Sequence, residues 1–566
     1  LLAMPPAGVE AALEPELVAD LRPGGEGSDI FQLTAAGPNV FFLARADPST
    51  GTELYRSDGT AAGTGLVRDI KPGPASANVY DARAFGNNLL FAATDQAADV
   101  EPWLSNGTAA GTSQLLDVNP GLNGSFPGGF TQIGNEAVFS AYEPTDGTEL
   151  WITDGTAAGT TQLFDINPGG SGSSPGNFTR MGSFVYFTAA TPGTGEELWR
   201  TDGTVAGTTL VADIQPGAGS SNAFEFETAG GFLYLNAETA ATGRELWRTD
   251  GTTTSMVADI TPGAGSSTPV NLTAFGTNLV FSANDGTNGR EPWRTDGSPA
   301  GTAMIKNIAP AGASSSAWGF EPIGDRLIFG ANDNDELNNL EPWMTDGTAA
   351  GTTKLKEIAP SPNEGSGADG FTSFGGVVYF GASDQQNGSE LWRSDGTPPG
   401  TALVTDLNPG GNHSFPYSFI EAGGTLFFGA TAPAPGDELF KLATNPPDLV
   451  LATAAQELAK KLEVEAACDE SCTVTVAGKV KAKPKKSGGK GGKGTLAKAM
   501  KLKLKPDAAE VAAGGDELLF PAFKGKDFKK AQKVLKGGGE LTASFRATAT
   551  DQAGNVATAK GKAKLG

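Results

Sequence analysis

An eight-residue phrase, Glu197-Leu-Trp-Arg-Thr-Asp-Gly-Thr204, returns along the chain and sets its period. Recognisable copies open at Glu53, Glu101, Glu149, Glu197, Glu245, Glu291, Glu341, Glu390 and Glu438, at intervals of 46 to 50 residues. Self-similarity at a fixed period of roughly 20 to 50 residues belongs to solenoids, propellers and arrays, whose units bury their apolar faces only against one another. Within the unit 271–308, short apolar or alternating runs at 272–275, 278–283, 291–295 and 302–308 read as four strands separated by Gly-rich turns. The second run is almost wholly apolar and small, as a strand sandwiched between neighbouring sheets must be. Four short strands in a repeat of this length describe a propeller blade. A solenoid would show helices or one strand per turn, and no sustained helical period is present.

The two ends of the repeat region complement each other. The fourth strand recurs as Leu210-Val-Ala-Asp-Ile-Gln-Pro-Gly217 and Met256-Val-Ala-Asp-Ile-Thr-Pro-Gly263, and an orphan copy, Leu17-Val-Ala-Asp-Leu-Arg-Pro-Gly24, precedes every first strand. The last copy stops after its third strand, Glu438-Leu-Phe-Lys441. Completing one blade from both ends closes the ring and removes an open sheet edge. The expectation is an all-β chain: a nine-bladed propeller closed by the N-terminal strand, or an eight-bladed one if a repeat is degenerate. Residues 1–16 read as an N-terminal stub, such as a trimmed secretory signal leaves, and residues 17–444 as the propeller. After Asn445-Pro-Pro-Asp448, period-two segments and a Lys/Gly-rich loop at 485–494 suit an antiparallel β-sandwich over 445–566.

Charge narrows the partners. The first 447 residues hold 18 basic and 51 acidic groups, whereas the remainder holds 23 basic and 13 acidic. An acidic propeller argues against nucleic acid and anionic membrane as ligands. No run of 18 apolar residues is present, so no transmembrane helix is expected. The only cysteines, Cys468 and Cys472, fit an extracellular disulfide better than a zinc site, because two thiolates cannot complete a tetrahedral shell.

Catalytic apparatus is sparse. His413 is the single histidine, so a Ser-His-Asp or Cys-His arrangement has one candidate base. The repeated Glu and Asp cannot all be active-site acids, because a propeller pocket depends on broken symmetry. The Asp that precedes Gly in seven of the nine copies suits a side chain accepting N–H groups of its own turn. No catalytic residue is assigned. Two carboxylates on distant loops would leave no sequence trace, so an extracellular carbohydrate-active hydrolase or lyase stays open as the alternative. Calcium is the one cofactor the chain offers a place for, at Asp333, Asp335 and Glu336 in an acidic loop that breaks the repeat. Of the aromatics outside the repeated phrase, Tyr80, Phe126, Phe224, Trp318, Phe415 and Tyr417 depart from the repeat and fall in stretches joining one blade to the next. They are candidates for stacking on a glycan or a protein, or for plugging the central channel.

The phrase resembles the bacterial ELWxxDGT repeat over residues 17–443, with departures at Tyr55 and Phe440 for Trp, Pro102, Pro292 and Pro342 for Leu, and Asn106 for Asp. That resemblance implies a large secreted or surface protein without an agreed activity. The Thr-Asp-Gly-Thr loop is similar to the Asp-box hairpin of sialidase-type propellers, where the Asp holds a turn. Through Ala549-Thr-Asp-Gln-Ala-Gly-Asn555 the tail resembles bacterial Ig-like or fibronectin-like domains. The expected function is extracellular or cell-surface binding of a glycan or another protein, or a place in a self-assembling extracellular structure.

Overall fold

The computed structural model describes residues 13–443, apart from 96–98, 122, 311, 334–339 and 360–364, and beyond them the backbone of the strands between Leu449 and Leu565. Two compact units result, one spanning Glu14–Leu442 and the other containing Ala443–Gly566. The first is a nine-bladed β-propeller of four-stranded antiparallel sheets.

Eight blades are meanders built from consecutive strands, for example Gly176–Met181, Phe184–Thr191, Gly195–Thr201 and Thr209–Ala212. The ninth takes Tyr417–Ala422, Thr425–Ala432 and Gly436–Ala443 from the end of the unit and Glu16–Leu17 from its start. The register sets Glu16 opposite Lys441 and Leu17 opposite Phe440, and the Val18 N–H continues the ladder to the Leu439 carbonyl at 2.9 Å. The N-terminal strand therefore closes the ring. Val18, Phe427 and Leu439 of this composite blade pack with Val40, Phe42 and Tyr55 of the next one, so the seam has a core like the other interfaces.

First strands contact the first strands of both neighbours and line the centre. Second strands are buried on both faces, as in Leu233, Tyr234 and Leu235 at 0% exposure. Cross-strand aromatic pairs recur where the third strand meets the second: Phe42–Tyr55 at 5.8 Å, Phe91–Trp103 at 6.3 Å and Phe139–Trp151 at 6.4 Å between centroids. Such pairs contribute about 0.5–1.5 kcal/mol beyond their burial.

The fourth strand differs from the sequence expectation in three blades. Where Leu follows the third-strand Glu, as at Leu198, it faces Ala212 and the outer strand runs over four residues, Thr209–Ala212. Where Pro follows, the outer strand shrinks to Thr112–Gln114, Ala303–Met304 or Thr353–Lys354. Pro102, Pro292 and Pro342 have no N–H to give the ladder. Their carbonyls still accept, from Leu115, Ile305 and Leu355 at 2.8–2.9 Å.

The second unit holds two antiparallel sheets. One orders Leu449–Ala452, Val464–Cys468 and Asp516–Leu519, and the other is built around Cys472–Lys483, Glu540–Asp551 and Val556–Leu565. Cys468 ends a strand of the first sheet and Cys472 begins a strand of the second. Their side chains, residues 1–12 of the stub expected over 1–16, the linker at 444–448 and the Lys/Gly-rich loop at 485–494 lie outside the described residues, while Glu16 of that stub belongs to the closing strand.

Candidate functional site

The repeated carboxylates hold the scaffold together. Glu197 is fully buried, and it accepts the Ile214 N–H at 2.7 Å, the Gln215 N–H at 3.2 Å and the Ser221 N–H at 2.9 Å. It thus clamps the segment that leaves the outer strand to the serine before the next blade's first strand. The same bond from a residue 17 positions on recurs at Ile70, Val118, Ile166, Ile308, Ile358 and Leu407. Across the seam, Glu438 accepts the Ser28 hydroxyl at 2.6 Å and the Leu21 N–H at 3.4 Å. Burial raises all nine of these glutamates above the ordinary carboxylate range, with Glu53 and Glu438 pushed up to about 7.

The phrase aspartates serve their own hairpins. Asp202 accepts the Thr204 N–H at 3.0 Å and its hydroxyl at 2.7 Å, and these bonds hold its carboxyl below the usual range. Asp58, Asp154, Asp296 and Asp346 do the same.

The six non-repeating aromatics separate into two positions. Tyr80, Phe224, Trp318 and Tyr417 are the first residues of first strands, half-buried rather than in open loops. Trp318 faces Gly330 in the register, and a Cβ placed on Gly330 would lie 3.0 Å from the indole Nε1, so the ring fills space which that glycine vacates. The Tyr417 hydroxyl donates across the seam to the Ile30 carbonyl and lies 2.8 Å from Asp437 of its own blade, and burial raises it strongly. Burial likewise pushes Tyr80 up to about 12. Phe224 lies under the Arg244 guanidinium at 5.0 Å, a cation held by Asn222, Asn236 and Glu238.

Phe126 and Phe415 stand two residues earlier in the repeat and are both 59% exposed. Each directly follows the serine of the clamp and has a left-handed backbone, with φ of 49° and 43°. The equivalent residues in the other seven blades are Asp29, Asn78, Ser174, Asn222, Thr268, Ser316 and Gly367, all at positive φ as well. Asp, Asn and Gly tolerate that region, and a bulky ring there is an outlier costing about 1–2 kcal/mol. His413 stacks on Phe415, with centroids 4.8 Å apart and planes at 14°. Its Nδ1 accepts the Ser389 N–H at 2.8 Å and its carbonyl accepts from Asn408, which fixes the imidazole beneath the ring. His413 also lines a cleft of about 350 Å³ with Ser383, Asp384, Gln385, Gly388 and Gly411. A second cleft, about 640 Å³, lies among Glu136, Asp154, Arg180 and Asp202, where both aspartates are committed to their hairpins.

For metals, Asp333 pairs with Lys354 at 2.9 Å, while Asp335 and Glu336 lie outside the described residues. One group of acids was not singled out from the sequence: Asp99, Glu101 and Asp117 bring carboxylate oxygens within 4.8 Å of one another. Glu101 already serves as a clamp to Val118 and Ser125, and burial together with a hydrogen bond to Asp95 raises Asp99.

The fold places the chain among the β-propellers. No family model and no curated protein matches its sequence. Among solved structures it is similar to a puromycin hydrolase, at 11% identity and a TM-score of 0.37, covering 78% of this chain and 63% of that one. A puromycin-hydrolyzing peptidase of Mycobacterium tuberculosis aligns at 13% identity and a TM-score of 0.35, over 80% and 64% of the two chains. Prolyl oligopeptidase B of Galerina marginata aligns at 10% and 0.36, over 76% and 58%. The chain thus spans less than two thirds of the length of these proteins.

Proposed function

We propose that the protein is a secreted or cell-surface binding module whose propeller offers a glycan or another extracellular protein the face carrying Phe126 and Phe415. The observation that carries this reading is the pair of exposed rings at left-handed positions, where seven sister blades use small or polar residues. Seven blades fold without a ring there, so the fold does not require one. A residue that costs stability both by exposure and by backbone conformation suggests recognition. The clamp and hairpin roles account for the repeated acids, and the resemblance to ELWxxDGT repeats supports an extracellular setting. The test is a glycan and extracellular-protein array probed with the full chain and with a Phe126→Ser/Phe415→Ser double variant. Array signals that vanish in the double variant support the reading. Signals unchanged by it, or polysaccharide cleavage by the purified chain, refute it.

A further inference from the structure

Phe415 differs from Phe126 in what surrounds it. Its ring is backed by His413, and the same imidazole forms one wall of the 350 Å³ cleft whose other groups include Ser383, Asp384 and the glycine-rich backbone at Gly388 and Gly411. An exposed apolar plate thus runs into a polar recess through one side chain held by hydrogen bonds. Resting on the binding-face reading, we propose that this is a subsite for a neutral polysaccharide, with one pyranose stacked on Phe415 and its neighbour in the cleft beyond His413.

Three features of the site favour that ligand. A pyranose has an apolar C–H face that suits a flat ring and equatorial hydroxyls that suit a polar recess. A hydrophobic peptide would leave Ser383 and Gln385 facing apolar groups, at the cost of unmade hydrogen bonds, while Asp384 already accepts the Gln386 N–H at 2.9 Å and the Asn387 amide at 2.8 Å and contributes its charge. Charge excludes the acidic sugars: the cleft is lined by Asp384 without a lysine or arginine among the described residues, on a unit already strongly acidic. A uronate or sulfated chain would meet repulsion with no counter-charge. Pre-organisation helps as well, because the Ser389 N–H and Asn408 hold His413 before any ligand arrives.

The sister blades supply the control. Ser174 and Ser316 occupy the Phe415 position elsewhere at φ of 50° and 47°, so Phe415→Ser suits the backbone, and Phe126→Ser does so for the same reason. Calorimetric titration of the full chain would use three probes: cellohexaose, chitohexaose and a galacturonate hexamer. The expected result is binding of a neutral hexaose that Phe415→Ser weakens by about tenfold or more, the loss of roughly one aromatic stacking contact, while Val205→Ser, at an exposed apolar residue outside the binding face, changes it by less than about threefold. The galacturonate hexamer should not bind. Loss of neutral binding in Phe126→Ser but not in Phe415→Ser overturns the subsite and leaves the binding face standing. Galacturonate binding, or array partners that are proteins with no neutral hexaose bound, overturns the sugar assignment alone.

Discussion

In the first blade, Ala77 stands where the other blades carry the serine of the clamp, and it is fully buried. In four of those blades the serine hydroxyl reaches the glutamate at 2.5–2.6 Å: Ser28, Ser125, Ser173 and Ser267. Without it, Glu53 Oε2 keeps the Ile70 N–H at 2.9 Å but lacks the hydroxyl that reaches Oε2 in those four blades; Oε1 is buried without a hydrogen bond, as it also is in Glu438. Its carboxyl is pushed from 4.5 up to about 7. A raised acid binds more protons folded than unfolded between those two values, so the stability it contributes is complete below about pH 4.5 and lost as pH rises through 7. At about 1.4 kcal/mol per unit, ionising Glu53 in place costs on the order of 3 kcal/mol. Ala77→Ser supplies the hydroxyl donor to Oε2 that those blades have. A hydrogen bond to a charged group contributes about 1.5–3 kcal/mol, against about 0.5–1.5 for a neutral pair. The variant should therefore gain about 2 kcal/mol at pH 8 and about 1 kcal/mol or less at pH 5. Urea unfolding of wild type and variant at both pH values reads the difference. A gain equal at the two pH values, or absent at pH 8, would show that Glu53 is not the group strained by the missing hydroxyl.

Three further outcomes follow from the same geometry. Ser267→Ala should do the reverse in the fifth blade, destabilising by about 1–3 kcal/mol at pH 8 and less at pH 5, because Glu245 loses the hydroxyl it holds at 2.5 Å. Buried glutamates lose stability as pH rises from 4.5, and hairpin aspartates such as Asp154 and Asp202, held below 3.8, lose theirs as pH falls through their lowered values. Melting temperature across pH should therefore peak on the mildly acidic side, and a maximum above pH 8 would contradict the clamp. Deleting residues 1–24 removes the strand Glu16–Leu17, the Val18–Leu439 ladder bond and the Glu16–Lys441 ion pair at 3.3 Å. Light scattering should then show association through the exposed edge of Gly436–Ala443, and a monodisperse product with an unchanged melting temperature would mean the seam is closed by other contacts.

The ring could be counted from the sequence because each blade solves the same packing problem with the same local chemistry. The Asp-Gly hairpin and the apolar second strand are short-range patterns, and the orphan Leu17-Val-Ala-Asp-Leu21 announced the seam. The clamp was less visible. Glu197 and Ser221 meet across 24 residues and two blades, a pairing that no local periodicity reveals. Proline was seen at 102, 292 and 342, yet the outer strand was still expected over 302–308. It pairs only over Ala303–Met304, because the missing donor lies on the neighbouring strand. The acids Asp99, Glu101 and Asp117 escaped notice for a similar reason, since Asp117, after the outer strand, meets the other two from the third-strand stretch only in the folded blade.

The candidate site shows how the repeat can be read further. The sequence grouped six aromatics, and the structure divides them by a shift of two positions. Trp318, the residue that looked most exceptional by type, packs against Gly330. Phe126 and Phe415 look ordinary until the repeats are aligned on the clamp serine. They then fall in a column otherwise filled by Asp, Asn, Ser, Thr and Gly, a composition that marks a left-handed residue before any φ is known. Each blade is thus a control for the other eight. A side chain that eight blades share reports on the scaffold, whereas one that violates the column's own conformational preference while remaining exposed needs a cause outside the fold. Phe415 meets that criterion, and the stacked His413 and polar cleft beside it supply a chemical candidate for the cause.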